Sequence, residues 1–257
     1  FGDGRYPQSE TARAKLFNIV ANAMRTKPAS KWMRIFEDAD VPYAPALTTE
    51  QAMDDPQIIH NDMVMELDDP LFGMTSLAGL PINLSQTPGN VRGPRASSAV
   101  QAVDWLSENP DLVKNQAVSA GDYQDELPLH DVKILEAANV IAGPIAGRLL
   151  ADLGAQIVKL ESLYGDISRP AGAGGFVFYN ANKRSISVKT RTEQGREIAQ
   201  RIAAESDVLL ANMRPGATDR MGLSSEKLAE INPNLIETHV TAYGWTGPYA
   251  HRPGVDP

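Results

Sequence analysis

The chain has 257 residues, 42% of them hydrophobic, which is enough for one large domain or two smaller ones with real cores. It contains no cysteine, excluding disulfides, zinc–thiolate sites and thiol catalysis, and its net charge of −8 argues against nonspecific nucleic-acid binding. No run approaches the roughly 18 apolar residues of a membrane span and none reads as a secretory leader, so a cytoplasmic protein without membrane contact is expected.

In chain order, Ser9 is a suitable N-cap for a helix that carries Ala12, Leu16, Ile19, Val20 and Ala23 on one face and ends at Pro28. A second helix from Ser30 places Trp32, Ile35, Phe36 and Ala39 on its buried side. Thr48 or Thr49 caps a short third helix, which Pro56 interrupts. Met63 to Leu67 and Met74 to Leu77 then read as a β pair around Pro70 and Gly73. These elements form a small α+β module. Pro81 to Pro94 is dense in Pro, Gly, Asn and Ser and reads as irregular surface; Val100 to Leu106 suits one more helix. Ser107 to Pro128 has the polar, acidic composition of a linker.

The pattern changes at Val132. The apolar run at Val132, Ile134 and Leu135 is followed by helical spacing at Ala142, Ile145, Ala146, Leu149, Leu150 and Leu153, then by a second run at Ile157, Val158 and Leu160. This is a βαβ unit, with Pro144 in the first helical turn and Gly154 at the exit. The alternation continues: a strand over Arg184 to Val188, a helix capped by a Thr190/Glu193 box, a strand over Asp207 to Ala211, a helix from Ser224 or Ser225, and a strand over Leu235 to Ala242. The fold class is therefore α/β, a doubly wound, Rossmann-like parallel sheet preceded by the small α+β module. In such sheets ligands sit outside the carboxyl ends of the strands, which places one near Val140 to Gly143.

Basic side chains outnumber acidic ones between Lys159 and Arg220, although the whole chain is acidic. Lys183 and Arg184 sit beside one strand, and Asn212, Met213 and Arg214 follow another, with Arg220 a turn later. Lysine point charges and arginine forks suit phosphates, whereas each residue taken singly could be a solvated loop charge. Gly143 and Gly147 flank Pro144 without completing the dinucleotide fingerprint, so Glu161, placed like a ribose-binding acid, supports a nicotinamide-dependent oxidoreductase only weakly. The four histidines lack metal-ligand spacing, and no metal is expected.

The runs GPIAGRLLADLGAQIVKLES, GDISR, NKRSISV, ANMRPGATDRMGL and INPNLIETHVTAYGWTGPYAHRPGVD, in this order, resemble the N-terminal half of a family III CoA-transferase. This group includes formyl-CoA and carnitine CoA-transferases and α-methylacyl-CoA racemases. SKWMRIFEDADVPYAPALTTEQAMDDPQI and GLPINLSQTPGNVRGPRA resemble the small-domain and C-terminal segments of the same family, in reversed order. The resemblance implies a tandem protein, with a rearranged sequence as the alternative. Residues 1–106 would finish one half, 107–130 would be a linker, and 131–257 would begin a second half. The chain starts at Phe1 and stops at Pro257 within what reads as a connection, so it is expected to be a piece of something longer.

Carried over by residue, the resemblance places coenzyme A, as an acyl-CoA substrate, against Asn212, Met213, Arg214, Arg220 and Met221, with Lys183 and Arg184 in the second basic loop. Ile141 falls near the reacting groups, where formyl-CoA transferases carry a polar residue. The implied reaction moves CoA between carboxylic acids through an aspartyl anhydride and an aspartyl-CoA thioester. The nucleophilic aspartate would lie beyond Pro257, with Asp256 a supporting acid only, so the isolated chain would be inactive. Alternatives are a racemase, against which Val255 before Asp256 counts, and a non-catalytic half that completes a tandem enzyme. An interlocked homodimer or an intramolecular pseudo-dimer is implied, with few contacts between residues 1–100 and the sheet part.

Overall fold

The computed structural model describes residues 9–95, 104, 107, 108, 127–171 and 173–254. Asp256 and most of the expected Val100 to Leu106 helix lie outside them. The chain divides into two compact units, one of Phe1–Thr49 with Arg252–Pro257 and one of Glu50–His251.

The smaller unit holds α1 (Glu10–Met24) and α2 (Ala29–Asp38). The Ser9 hydroxyl accepts from the Ala12 N–H at 3.2 Å, as an N-cap should. α2 starts directly after Pro28, one residue before Ser30, because extended Pro28 (φ −65°, ψ 154°) serves as the N-cap. Trp32 Nε1 donates to the Met24 carbonyl at 2.9 Å and its ring stacks on Phe36 at 5.5 Å, joining the two helices. Arg252 closes the unit, lying over the Tyr43 ring and pairing with Glu37 at 3.1 Å. On the expected apolar face of α1, Ala12 and Leu16 are half-buried while Ile19 and Val20 are exposed, as is Phe17 off that face.

α3 (Thr49–Met53) straddles the division, and α4 (Pro56–His60) follows with Pro56 at its start. Pro56 begins a new helix here, because the Asp55 carboxylate caps Gln57 N and Ile58 N at 2.9 and 3.2 Å. β1 (Val64–Asp69) and β2 (Gly73–Ala78) form the expected hairpin, in antiparallel register from Val64↔Ala78 to Asp69↔Gly73.

The main sheet has five parallel strands in the order β5-β4-β3-β6-β7, namely β3 (Lys133–Ala137), β4 (Gln156–Glu161), β5 (Lys183–Ser187), β6 (Val208–Ala211) and β7 (Ile236–His239). α5 (Ala142–Asp152) covers one face. Its Ala151 packs with Ile134, Ile157 and Leu210. α6 (Glu193–Ala204) and α8 (Ser225–Ile231) cover the other, where Ala199, Ala203 and Leu228 meet Leu135, Leu160, Leu209 and Leu223. Strands covered on both faces are mainly apolar, as the 0–3% exposure of Leu135, Leu160, Leu209 and Leu210 shows, with Glu136, Lys159 and Glu161 as buried charged exceptions. Each such side chain contributes roughly 1.5–3 kcal/mol of burial. The sheet is thus the expected doubly wound α/β layer. It winds outward in both directions from β3 and β6, which are paired from Ile134↔Val208 to Ala137↔Ala211. Two local expectations are corrected. Thr192, not Thr190, caps α6, accepting from Gly195 N at 3.2 Å, and β7 is shorter than Leu235 to Ala242 because the chain leaves the sheet after Val240.

α4 packs on the loop that follows β7. Gln57, 2% exposed, donates through Nε2 to the Thr246 carbonyl at 2.9 Å and accepts from Tyr249 N at 2.7 Å. Asn61 Nδ2 donates to the Tyr243 carbonyl at 2.8 Å, and His60 Nε2 lies 3.0 Å from the Thr246 hydroxyl. Gly247 has φ +100°, and any Cβ there would run into His60 and Gln57. α4 and the loop after β7 are therefore one packed feature.

Candidate functional site

The two central strands, β3 and β6, are connected outward in opposite directions, and at such a switch point the loops leaving the carboxyl ends part to form a crevice. Here the loops are Ala138–Ile141 and Asn212–Pro215. The Asn212 side chain bridges them: its Oδ1 accepts from Asn139 N and its Nδ2 donates to the Asn139 carbonyl, both at 2.8 Å. Asn212 is thus spent on positioning the opposite loop. Gly143 lets α5 press against this joint, since an added Cβ would meet Ala138 and Asn212.

Under α5 lies a net-neutral group of buried ions. Lys159 Nζ pairs with Glu136 and Asp166, both at 3.0 Å, and Lys183 Nζ pairs with Glu136 at 2.6 Å. Lys183 also donates to the Pro144 carbonyl at 2.7 Å, and its side chain is 1% exposed. Burial pushes its ammonium pKa down, against the pull of Glu136. Lys183, expected in a phosphate-binding loop, directs its charge inward, beneath α5. Arg184, the next residue along the strand, faces the other side of the sheet. It lines a 960 Å³ cavity with Lys133, Gln156 and Arg201 at the amino ends of the strands, away from the crevice.

Glu161 is also accounted for. Arg169 Nε donates to it at 2.6 Å and Asp166 N at 2.8 Å, and the Ser185 hydroxyl donates as well. Burial opposes its ionisation, yet these donors hold its pKa at about 2. With its lone pairs occupied and only 2% of its surface exposed, Glu161 is not placed to grip a ribose, which removes the basis of the nicotinamide alternative.

The expected loop residues separate by role. Met213 and Met221 pack against the α6/α8 core. Ile141 is the N-cap residue of α5 and has no side-chain cap bond. Arg214 and Arg220 are at the surface, Arg220 closing the short α7 (Ala217–Arg220). Arg220 does not stand alone: with Thr190, Arg191, Arg196, Ala217 and Met221 it lines a 440 Å³ cavity. None of these three guanidinium groups has a carboxylate partner among the described residues. Gly222, at φ +81°, brings α6 close enough that its own Cβ would meet the Arg196 side chain, and Gln200 Nε2 fixes the approach by donating to the Gly222 carbonyl at 2.8 Å. Of the two arginines that sequence reading missed, Arg191 lies in the turn between β5 and the Thr192 cap of α6, and Arg196 lies on α6 itself. The surplus of basic residues in this stretch was the available signal.

The chain is an α/β protein with a doubly wound parallel sheet, a bridged crevice at its switch point and a cavity lined by three arginines. The chain belongs to CoA-transferase family III, whose model matches residues 2–96 and 129–257. It is 38% identical over 138 residues to a probable fatty acyl-CoA transferase, Rv3272, of Mycobacterium tuberculosis, covering 50% of this chain and 35% of that protein. It is 40% identical over 128 residues to the formyl-CoA:oxalate CoA-transferase of Streptomyces coelicolor, covering 47% and 31%. A CAIB/BAIF family protein from Brucella suis, of known crystal structure, is 42% identical with a TM-score of 0.48, over 51% of this chain and 38% of that one. The chain spans about a third of the length of the curated relatives it matches. Among the described residues no helix is long and apolar enough to cross a membrane.

Proposed function

We propose that the intact protein transfers CoA between carboxylic acids and that this chain supplies part of its CoA site. The observation that carries the reading is the cavity where Arg191, Arg196 and Arg220 meet without carboxylate partners. Three unpaired forks in one concavity suit a group with several anionic oxygens, such as the phosphates of CoA. Met213 and Met221 offer a soft apolar surface beside them for the adenine. Asn212 contributes by bracing the crevice, along which Ile141 would meet the acyl end.

In the proposed reaction an aspartate carboxylate attacks the thioester carbonyl and expels CoA thiolate. The thiolate attacks the aspartyl carbonyl of the anhydride, releasing the first acid and leaving aspartyl-CoA. The acceptor carboxylate then attacks that thioester, and the returning thiolate takes the new acyl group. The nucleophile lies outside this chain and Asp256 is at most a supporting acid. Residues 1–106 would finish one transferase half, 107–130 would link, and 131–257 would open the next, in a cytoplasmic interlocked homodimer or intramolecular pseudo-dimer. The family model matches two separate stretches, residues 2–96 and 129–257, on either side of the proposed linker.

Calorimetric titration with CoA tests the site. Arg220→Ala and Arg191→Ala should each weaken binding by about 1 to 3 kcal/mol, the range for a charge-assisted hydrogen bond. Arg184→Ala, at the opposite strand ends, should leave it unchanged. Equal affinity in Arg220→Ala and the parent chain would remove the assignment.

A further inference from the structure

Three consecutive residues between β3 and α5 have main-chain polar groups held by the side chains of buried Lys159 and Asp166 and half-buried Asn212. The Ala138 carbonyl accepts from Lys159 Nζ. Asn139 makes both of its bonds to Asn212. Val140 N donates to Asp166 Oδ1 at 3.4 Å. Lys159 and Asp166 are each 1% exposed and paired with each other at 3.0 Å. Asp166 is further fixed by the Ser168 N–H and hydroxyl, at 2.8 and 2.7 Å. The held turn is strained: Val140 has φ +66°, a left-handed conformation that a β-branched side chain adopts only under compulsion. Such strain persists where the surroundings over-determine it, and it clusters at functional sites.

We propose that Lys159 and Asp166 are positioning residues, a buried clamp that keeps Val140 left-handed and so presets the Val140–Ile141 main chain for the acyl-CoA thioester in the switch-point crevice. The proposal rests on the CoA reading above. Released from the clamp, Val140 relaxes to an ordinary conformation and the crevice is competent only part of the time. Apparent affinity then falls in proportion to the competent fraction. Glycine at position 140 takes the left-handed conformation without strain, so it should compensate for a loosened clamp although it restores no charge.

The experiment is titration of the 257-residue chain with acetyl-CoA, with circular dichroism to confirm folding. Asp166→Asn should raise Kd about tenfold, as expected if the competent fraction falls to roughly a tenth. Ser168→Ala, which slackens Asp166 without unpairing Lys159, should raise it less and covers the case in which Asp166→Asn does not fold. Adding Val140→Gly to either variant should recover most of the loss. A merely structural role would give no such recovery. Unchanged affinity in a folded Asp166→Asn or Ser168→Ala chain, or no rescue by Val140→Gly, overturns the clamp while leaving the CoA site standing. Failure of the parent chain to bind acetyl-CoA overturns both.

Discussion

Glu161 shows how single residues in this chain are committed. Its carboxyl has an ordinary pKa of 4.5 and is held at about 2 in the fold. A group depressed on folding binds fewer protons in the native state, so its stabilisation is complete above about pH 4.5 and is lost as pH falls toward 2. Glu161→Gln should flatten that part of a thermal-melt profile, and an unchanged acid limb in the variant would count against the assignment. Arg169 is 42% exposed, so solvent screens the pair and the loss at neutral pH should be modest, about 1 to 2 kcal/mol. Residue type was legible in the sequence here, but direction was not. Lys183 and Arg184 look equivalent as a basic pair, yet neighbours on a strand face opposite sides, and one went under α5 while the other turned away. Asn212, expected as a CoA contact, uses its amide on Asn139.

At the scale of elements, α5 is shaped by what lies beneath it. Gly143, Gly147 and Ala151 recur every four residues on its buried stripe, and a Cβ at position 147 would collide with the Glu136 carboxylate and crowd Lys183 Nζ. Gly147→Ala should therefore destabilise the chain by about 1 to 3 kcal/mol, the usual range for overpacking, although alanine is the better helix former. A urea midpoint equal to that of the parent would show that the ion group can yield. The βαβ unit around this helix was legible because its apolar periods are long and its punctuation is regular. Pro144 is in the first turn, and Gly154, at φ +107°, is at the exit. Less legible was the connection from β4 to β5, where a 3₁₀ turn (Arg169–Ala171) and a π turn (Ala173–Val177) replace any apolar period. The cap of α6 was misplaced by two residues because Thr190 and Thr192 are both plausible caps. Only the contact with Gly195 N separates them.

For the whole molecule, the chain alone should carry no transferase activity, since the proposed nucleophile lies elsewhere. Incubation with acyl-CoA followed by hydroxylamine should leave no aspartyl hydroxamate on the 257-residue chain, and a trapped adduct would refute the placement of the nucleophile. Membership of CoA-transferase family III was legible in the sequence through short motifs. The joining of α4 to the loop after β7 was not, because a glutamine and two glycines some 190 positions apart carry no periodicity that links them.

That joint has a consequence for biogenesis. Gln57 and Thr246 are separated by 189 positions. At ribosomal speeds of about 5–20 residues per second, α4 must wait roughly 10–40 s after its own synthesis before its receptor loop exists. During that interval the polar side chains of Gln57 and Asn61 are hydrated, and the parallel sheet between them and their partners forms first. Nascent chains stalled near residue 235 should leave α4 open to protease, and chains extended past residue 251 should protect it. α4 is thus made before the sheet but completes its packing only after β7 has left the ribosome.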